Sequence, residues 1–131
     1  MKIFYLIVFV LFSITTKTQA NQTDKNILIK NIEKNLSIYN KVALKIWEYA
    51  EVGFKEEKSS KELITLLKEN GFVITEGVAG MPTAFIAEYG KGGPIIGVLG
   101  EYDALPGLSQ THNTIKEKRN GVVSGHGCGH N

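Results

Sequence analysis

The residues best suited to chemistry in this chain sit in its last six positions, His126-Gly-Cys128-Gly-His130-Asn131. Cys128 and His130 flank a single glycine, and thiolate and imidazole are both good ligands for zinc-like ions. In an extended backbone the two side chains would point the same way, and Gly125, Gly127 and Gly129 would let the chain fold closely around an ion. The same residues also describe a glycine-rich tail with a buried thiol and a solvent-facing histidine. Spacing alone does not choose between these readings, because two ligands rarely make a site. His126 is a third candidate, able to hydrogen-bond a substrate or to support a ligand from behind.

A second polar cluster follows the apolar run Pro94-Ile-Ile-Gly-Val-Leu-Gly100, which ends in Glu101-Tyr-Asp103-Ala-Leu-Pro106. A buried strand that delivers carboxylates to a loop is where α/β sheets place their ligand sites. Asp103 could orient a metal-bound histidine or help hold the ion; it could equally cap a turn. Glu101 could face the same site or a structural cation. His112 reads as a solvated loop residue, and Trp47 and Phe54 as core.

These clusters need a scaffold, and the hydrophobic pattern predicts one. Leu28, Ile32, Leu36, Tyr39, Ala43, Ile46 and Ala50 recur at spacings of three and four, the pattern of an amphipathic helix ended by Gly53. Ser59-Ser-Lys-Glu62 resembles a capping box that opens a second helix, with Leu63, Ile64, Leu66 and Leu67 as its apolar face and Gly71 as its left-handed stop. Strands are expected at 72–75 and 83–89, and a central strand apolar on both faces at 95–99. Helices followed by strands indicate an α/β layer fold. The polar stretch 111–124 reads as a long loop or a frayed connection.

Composition narrows the function classes. The chain has 131 residues and a formal charge of +2. Lys2 and Lys17 account for that charge and lie in an N-terminal segment whose apolar run, residues 3–12, leads to Thr18-Gln19-Ala20. This has the form of a signal peptide over residues 1–20 with cleavage near Ala20; an uncleaved anchor is the alternative. The expected location is therefore secreted or periplasmic, with residues 21–131 as the mature part. No basic patch with interleaved aromatics stands out, so nucleic acid is not an expected partner. The single cysteine cannot form an internal disulfide, which leaves burial, pairing between chains or a metal, and its neighbours favour the metal.

Four segments carry a resemblance: Glu51-Val-Gly-Phe-Lys-Glu56, Gly77-Val-Ala-Gly-Met-Pro-Thr-Ala84, Gly100-Glu-Tyr-Asp-Ala-Leu-Pro-Gly-Leu-Ser-Gln110 and Gly125-His-Gly-Cys-Gly-His-Asn131. In this order they resemble the N-terminal part of the metal-dependent amidohydrolases of the aminoacylase and carboxypeptidase family, whose metal centre is dinuclear. The Glu-Tyr-Asp-Ala-Leu-Pro-Gly-Leu-Ser-Gln run is most similar to the p-aminobenzoyl-glutamate hydrolase branch. The likeness extends from about Tyr39 to Asn131.

The resemblance implies the N-terminal portion of a catalytic domain with helices packed on a mixed sheet, and two divalent ions, zinc or manganese. It implies Cys128 and His130 as metal ligands and Asp103 as the active-site carboxylate. Glu101 stands where other branches place a metal-binding histidine, so that role does not transfer; it and His126 are left as supporting or substrate-contacting residues. The implied substrate is a small amide, an N-acyl or N-aroyl amino acid, and the resemblance allows a homodimer in the full-length protein. The general base and remaining ligands would lie beyond Asn131, which makes the chain a fragment expected to be inactive alone. The alternative is a stand-alone exported metal-binding module without catalysis.

Overall fold

The computed structural model describes residues 22–131. The expected signal peptide at residues 1–20 lies outside them. Among the described residues no helix is long and apolar enough to cross a membrane. The chain divides into two units, residues 1–34 and 35–131. In the first, residues 22–34 are helical and exposed throughout, including Leu28 and Ile32 of the expected apolar face.

The helix that begins there, α1, spans Gln22–Tyr49. In the second unit its apolar face becomes buried only toward the C-terminal end. Leu36 and Tyr39 are exposed, whereas Ile46 and the following Ala50 are buried. The helix stops before the expected Gly53, because Ala50 turns left-handed (φ 46°), a conformation uncommon outside glycine. Arg119 holds this end: Nη1 donates to the Trp47 carbonyl at 3.2 Å and Nη2 to the Glu48 carbonyl at 2.8 Å. A cation on the last carbonyls of a helix also suits its dipole. The same guanidinium lies 4.6 Å over the Trp47 ring, so Trp47 is a half-buried platform rather than core. Phe54, also expected in the core, is left-handed (φ 65°) and exposed.

Helix α2 spans Glu57–Glu69, and its start corrects the expected capping box. Glu56 occupies the N-cap without a capping side chain, while Ser59 lies inside the first turn and is completely buried. The free amides of that turn are satisfied by Glu51, whose carboxylate accepts from the Lys58 and Ser59 amides at 3.1 and 2.9 Å and from the Ser59 hydroxyl at 2.8 Å. An acceptor from outside the helix replaces the local one, because a carboxylate is favoured at the positive end of the helix dipole. Glu62, the other half of the expected box, instead binds Lys45 at 2.7 Å and Tyr49 at 2.9 Å on α1. Gly71 (φ 84°) follows the helix as its left-handed stop, as the sequence indicates.

Strands β1 (Val73–Glu76) and β2 (Phe85–Glu88) pair antiparallel, with Val73 opposite Glu88 and Glu76 opposite Phe85. Helix α2 packs against both. This is a small α/β unit of two helices and a two-stranded sheet. The central strand expected at 95–99 is not formed: the run pairs with no strand among the described residues, and Ile95, Ile96, Val98 and Leu99 are all at least 85 % exposed. A strand that is apolar on both faces needs a neighbour at each edge and cover on each side, and the described residues supply neither.

Candidate metal centre

Downstream of that run the chain is held again. The Ala104 amide donates to the Glu51 carbonyl at 2.7 Å, forming a parallel bridge beside Val52. Leu105 and Gly125 exchange both backbone hydrogen bonds, at 2.9 and 3.1 Å. Gly125 has to be glycine here, since a Cβ would stand 2.1 Å from the Leu108 carbonyl oxygen. These bridges bring the acidic loop and the C-terminal tail side by side. The tail is further fastened to α1: the Ser124 hydroxyl donates to the Ala50 carbonyl, and the Asn131 side-chain amide to the Ala43 carbonyl at 3.3 Å.

The result is a three-residue cluster. His130 Nδ1 lies 2.8 Å from Asp103 Oδ1, and its Nε2 lies 3.1 Å from Glu101 Oε2. One donor atom from each of Glu101, Asp103 and His130 falls within 4.8 Å of the others. Asp103 and His130 are half-buried and Glu101 is exposed. A carboxylate accepts from an imidazole N–H, so Asp103 fixes the Nδ1–H form and leaves Nε2 to face Glu101. His130 Nε2 lies 3.1 Å from the Glu101 carboxylate, and a positive charge at this contact would favour the approach. A proton would supply it: the Asp103 hydrogen bond, more than any other contact, raises the His130 pKa. A divalent ion would supply it too, because ligand atoms about 2 Å from a metal stand near this separation. The donor set fits one ion, with Nε2 and Glu101 as direct ligands and Asp103 orienting the ring.

The other expected residues fall differently. Cys128 is exposed and does not join the cluster. The tail is not extended between it and His130, because the Gly129 amide turns back to the His126 carbonyl at 3.0 Å with Gly129 left-handed. His126 does not join the cluster either. Its Nε2 lies 3.0 Å from the Ile46 carbonyl, which can only accept, so Nε2 carries a proton. Nδ1 is buried and has no partner among the described residues, and burial lowers the ring's pKa. This histidine therefore anchors the tail to α1.

Sequence reasoning missed Arg119 and Glu51, which hold the two helix ends from which the site is built. It also read residues 111–124 as a plain loop, although Gln110 and Glu117 organise that segment. Gln110 Nε2 donates to the Ile115 carbonyl at 2.7 Å, and Glu117 Oε2 accepts from Thr111 and Asn113 at 3.0 and 2.8 Å. A nearly unbroken polar run carries no period from which such contacts could have been foreseen.

No family model matches the chain, but known proteins do. It is 43 % identical over 101 residues to a subunit of the p-aminobenzoyl-glutamate hydrolase of Escherichia coli, covering 76 % of this chain and 21 % of that protein. It is 38 % identical over 88 residues to thermostable carboxypeptidase 1 of Saccharolobus solfataricus, covering 66 % and 22 %. With the hippurate hydrolase of Campylobacter jejuni it shares 30 % over 92 residues, 70 % of this chain and 24 % of the other. The chain thus spans about a fifth of the length of the curated relatives it matches. On these likenesses the chain belongs to the amidohydrolase and carboxypeptidase family.

Proposed function

We propose that the chain supplies the first metal-holding part of a centre that hydrolyses the amide bond of N-acyl or N-aroyl amino acids, aminobenzoyl-glutamate-like compounds among them. The observation that supports this reading is the Asp103–His130–Glu101 cluster, in which one donor atom from each residue lies within 4.8 Å of the others. The substrate class rests on the names of two relatives, since p-aminobenzoyl-glutamate and hippurate (benzoylglycine) are both aroyl amino acids.

A bound divalent ion, zinc or manganese, would supply an acidified water and a polarised carbonyl for amide hydrolysis. The chain's own residues have positioning duties. Asp103 holds the Nδ1 proton and so keeps Nε2 available, and Glu101 supplies the facing carboxylate. Cys128, exposed on the same tail, is a further ligand in this proposal. A two-ion centre needs more donors than the three brought together among the described residues, so the 131-residue chain alone is expected to bind metal without turnover. Export through the leader and dimer contacts in the whole protein belong to the same proposal. Because three donors suffice for one ion, the competing reading is a metal-binding module without catalysis.

The test is zinc titration of the chain and of its His130→Ala variant, paired with p-aminobenzoyl-glutamate hydrolysis assays on the chain and on a protein of the relatives' length that contains it. Stoichiometric binding lost in the variant, with turnover confined to the longer protein, is expected. Binding unchanged in the variant would remove the site. Inactivity of the longer protein would leave the metal-binding module.

A further inference from the structure

On the side of the acidic loop away from His130, a second chain of contacts ends in a buried acid. Glu56 is only 8 % exposed, and its Oε2 accepts a 2.8 Å hydrogen bond from the Thr83 hydroxyl. Thr83 is buried as well, and its carbonyl accepts from the Tyr102 hydroxyl. The Tyr102 ring is braced by Phe85 of β2, with ring centres 6.0 Å apart. Tyr102 lies between the two acids that meet His130. Glu101 and Asp103 reach the histidine while the residue between them reaches Thr83, the alternation of an extended segment. Glu56 is also near the site directly. A Cβ on Gly53 would stand 3.9 Å from both Glu56 Oε1 and Asp103 Oδ2, so little more than a bare turn of backbone separates the two carboxylates.

A buried carboxylate is costly unless it is hydrogen-bonded, and neither the α2 cap nor the sheet uses this one: Glu51 caps the helix, and Glu56 makes no capping bond. We propose that Glu56 is a positioning residue, which through Thr83 and Tyr102 fixes the direction in which the Glu101 and Asp103 carboxylates face. Backbone bridges hold Ala104 and Leu105, and before Ala104 the Tyr102 hydroxyl adds a hold of its own on the Thr83 carbonyl. Glu56 in turn fixes Thr83, which would otherwise be a threonine in a loop between strands. The inference rests on the metal-site reading above.

Its test uses Tyr102→Phe, which deletes the hydroxyl and keeps the ring against Phe85. Zinc affinity of the chain should fall roughly 10-fold, at the low end for lost supporting hydrogen bonds. The visible spectrum of bound cobalt should change, while helix content and melting temperature stay at the parent values. Thr83→Val and Glu56→Ala should weaken zinc binding similarly, and Thr83→Ser and Glu56→Gln, which keep donor and acceptor, should restore it. Parent-like zinc affinity and cobalt spectrum in Tyr102→Phe, with His130→Ala abolishing binding, would overturn this inference and spare the site. Thr83→Ser as weak as Thr83→Val would overturn it as well, since the methyl packing and not the hydrogen bond would then matter. Zinc binding indifferent to His130→Ala would overturn the site and this inference together.

Discussion

The apolar run at residues 94–100 and the acidic loop at 101–105 adjoin in the chain, yet only the second is held in place. The first contains Ile95, Ile96, Val98 and Leu99, and all four are exposed. The second is polar and irregular, yet its backbone is bonded to Glu51 and Gly125 and its Ala104 is almost fully buried. Hydrophobic burial is non-directional and acts only where another apolar surface is at hand. Backbone hydrogen bonds are directional and can be completed by a single neighbouring strand or turn. The site loop is therefore ordered by bridges that bypass the run leading into it.

The strongest attack on this comparison is Gly125→Ala. The added Cβ would meet the Leu108 carbonyl oxygen at 2.1 Å and the Leu108 carbonyl carbon at 2.9 Å. Backbone cannot rotate aside as a side chain would, so the Leu105–Gly125 pair must part. A loss of ~1–3 kcal/mol, the range for overpacked sites, should show in a denaturant midpoint, together with weakened zinc binding. An unchanged midpoint would mean that the bridge does not order the loop.

Asp103→Ala separates geometry from stability. It removes the acceptor for His130 Nδ1 from a half-buried position, so the fold should change little. Zinc affinity should fall ~10–100-fold, as for other lost partners of a metal-bound histidine. A calorimetric titration at constant pH measures this, and equal affinity would show that His130 is oriented by something else.

Glu51→Ala probes the shared anchor, because residue 51 offers its carbonyl to Ala104 and its carboxylate to the start of α2. Only the carboxylate is lost in this variant. The expected cost is ~1 kcal/mol, as for a missing helix cap, read from thermal unfolding. If zinc affinity survives, the backbone bridge alone suffices for the site.

What could be read from the sequence follows the same division. Helices α1 and α2, the stop at Gly71 and strands β1 and β2 were all legible, because their apolar spacing and turn residues act locally. The capping of α2 was not, since Ser59 and Glu62 matched a local pattern while the actual acceptor, Glu51, arrives from beyond the turn. The run at 95–99 misled for the opposite reason: its residues state a preference that needs partners to be expressed. In the site, His130 and Asp103 were legible as residue types at the end of motifs. That Glu101 would face Nε2, and that His126 would anchor to Ile46, depends on how the tail turns at Gly129.

The Lys45–Glu62 pair between the helices predicts a smaller effect with a definite sign. Hydrogen bonding to Lys45 holds the Glu62 carboxyl below its ordinary 4.5, and the same bond raises Lys45 above 10.5. The acid contributes stability above 4.5, and that contribution is lost as pH falls through its lowered value. The lysine contributes below 10.5, and its part is lost as pH rises through its raised value. Both side chains are partly exposed, so salt screens the pair and the effect is modest. The pair's contribution should be constant between the two ordinary values, and Glu62→Gln should reduce the acid slope; an unchanged slope would show that the pair does not contribute.

Val98→Thr should have the least effect, and its smallness is informative. Val98 is 92 % exposed, and threonine is nearly isosteric and also β-branched, so neither packing nor backbone preference changes much. Melting temperature and zinc affinity should match the parent, with a stability change inside the roughly ±0.5 kcal/mol of surface substitutions. A larger loss would show the run buried against something in solution, since a hydroxyl is costly only where water is excluded. The acidic loop would then owe part of its order to the segment before it, and the contrast between the two would disappear.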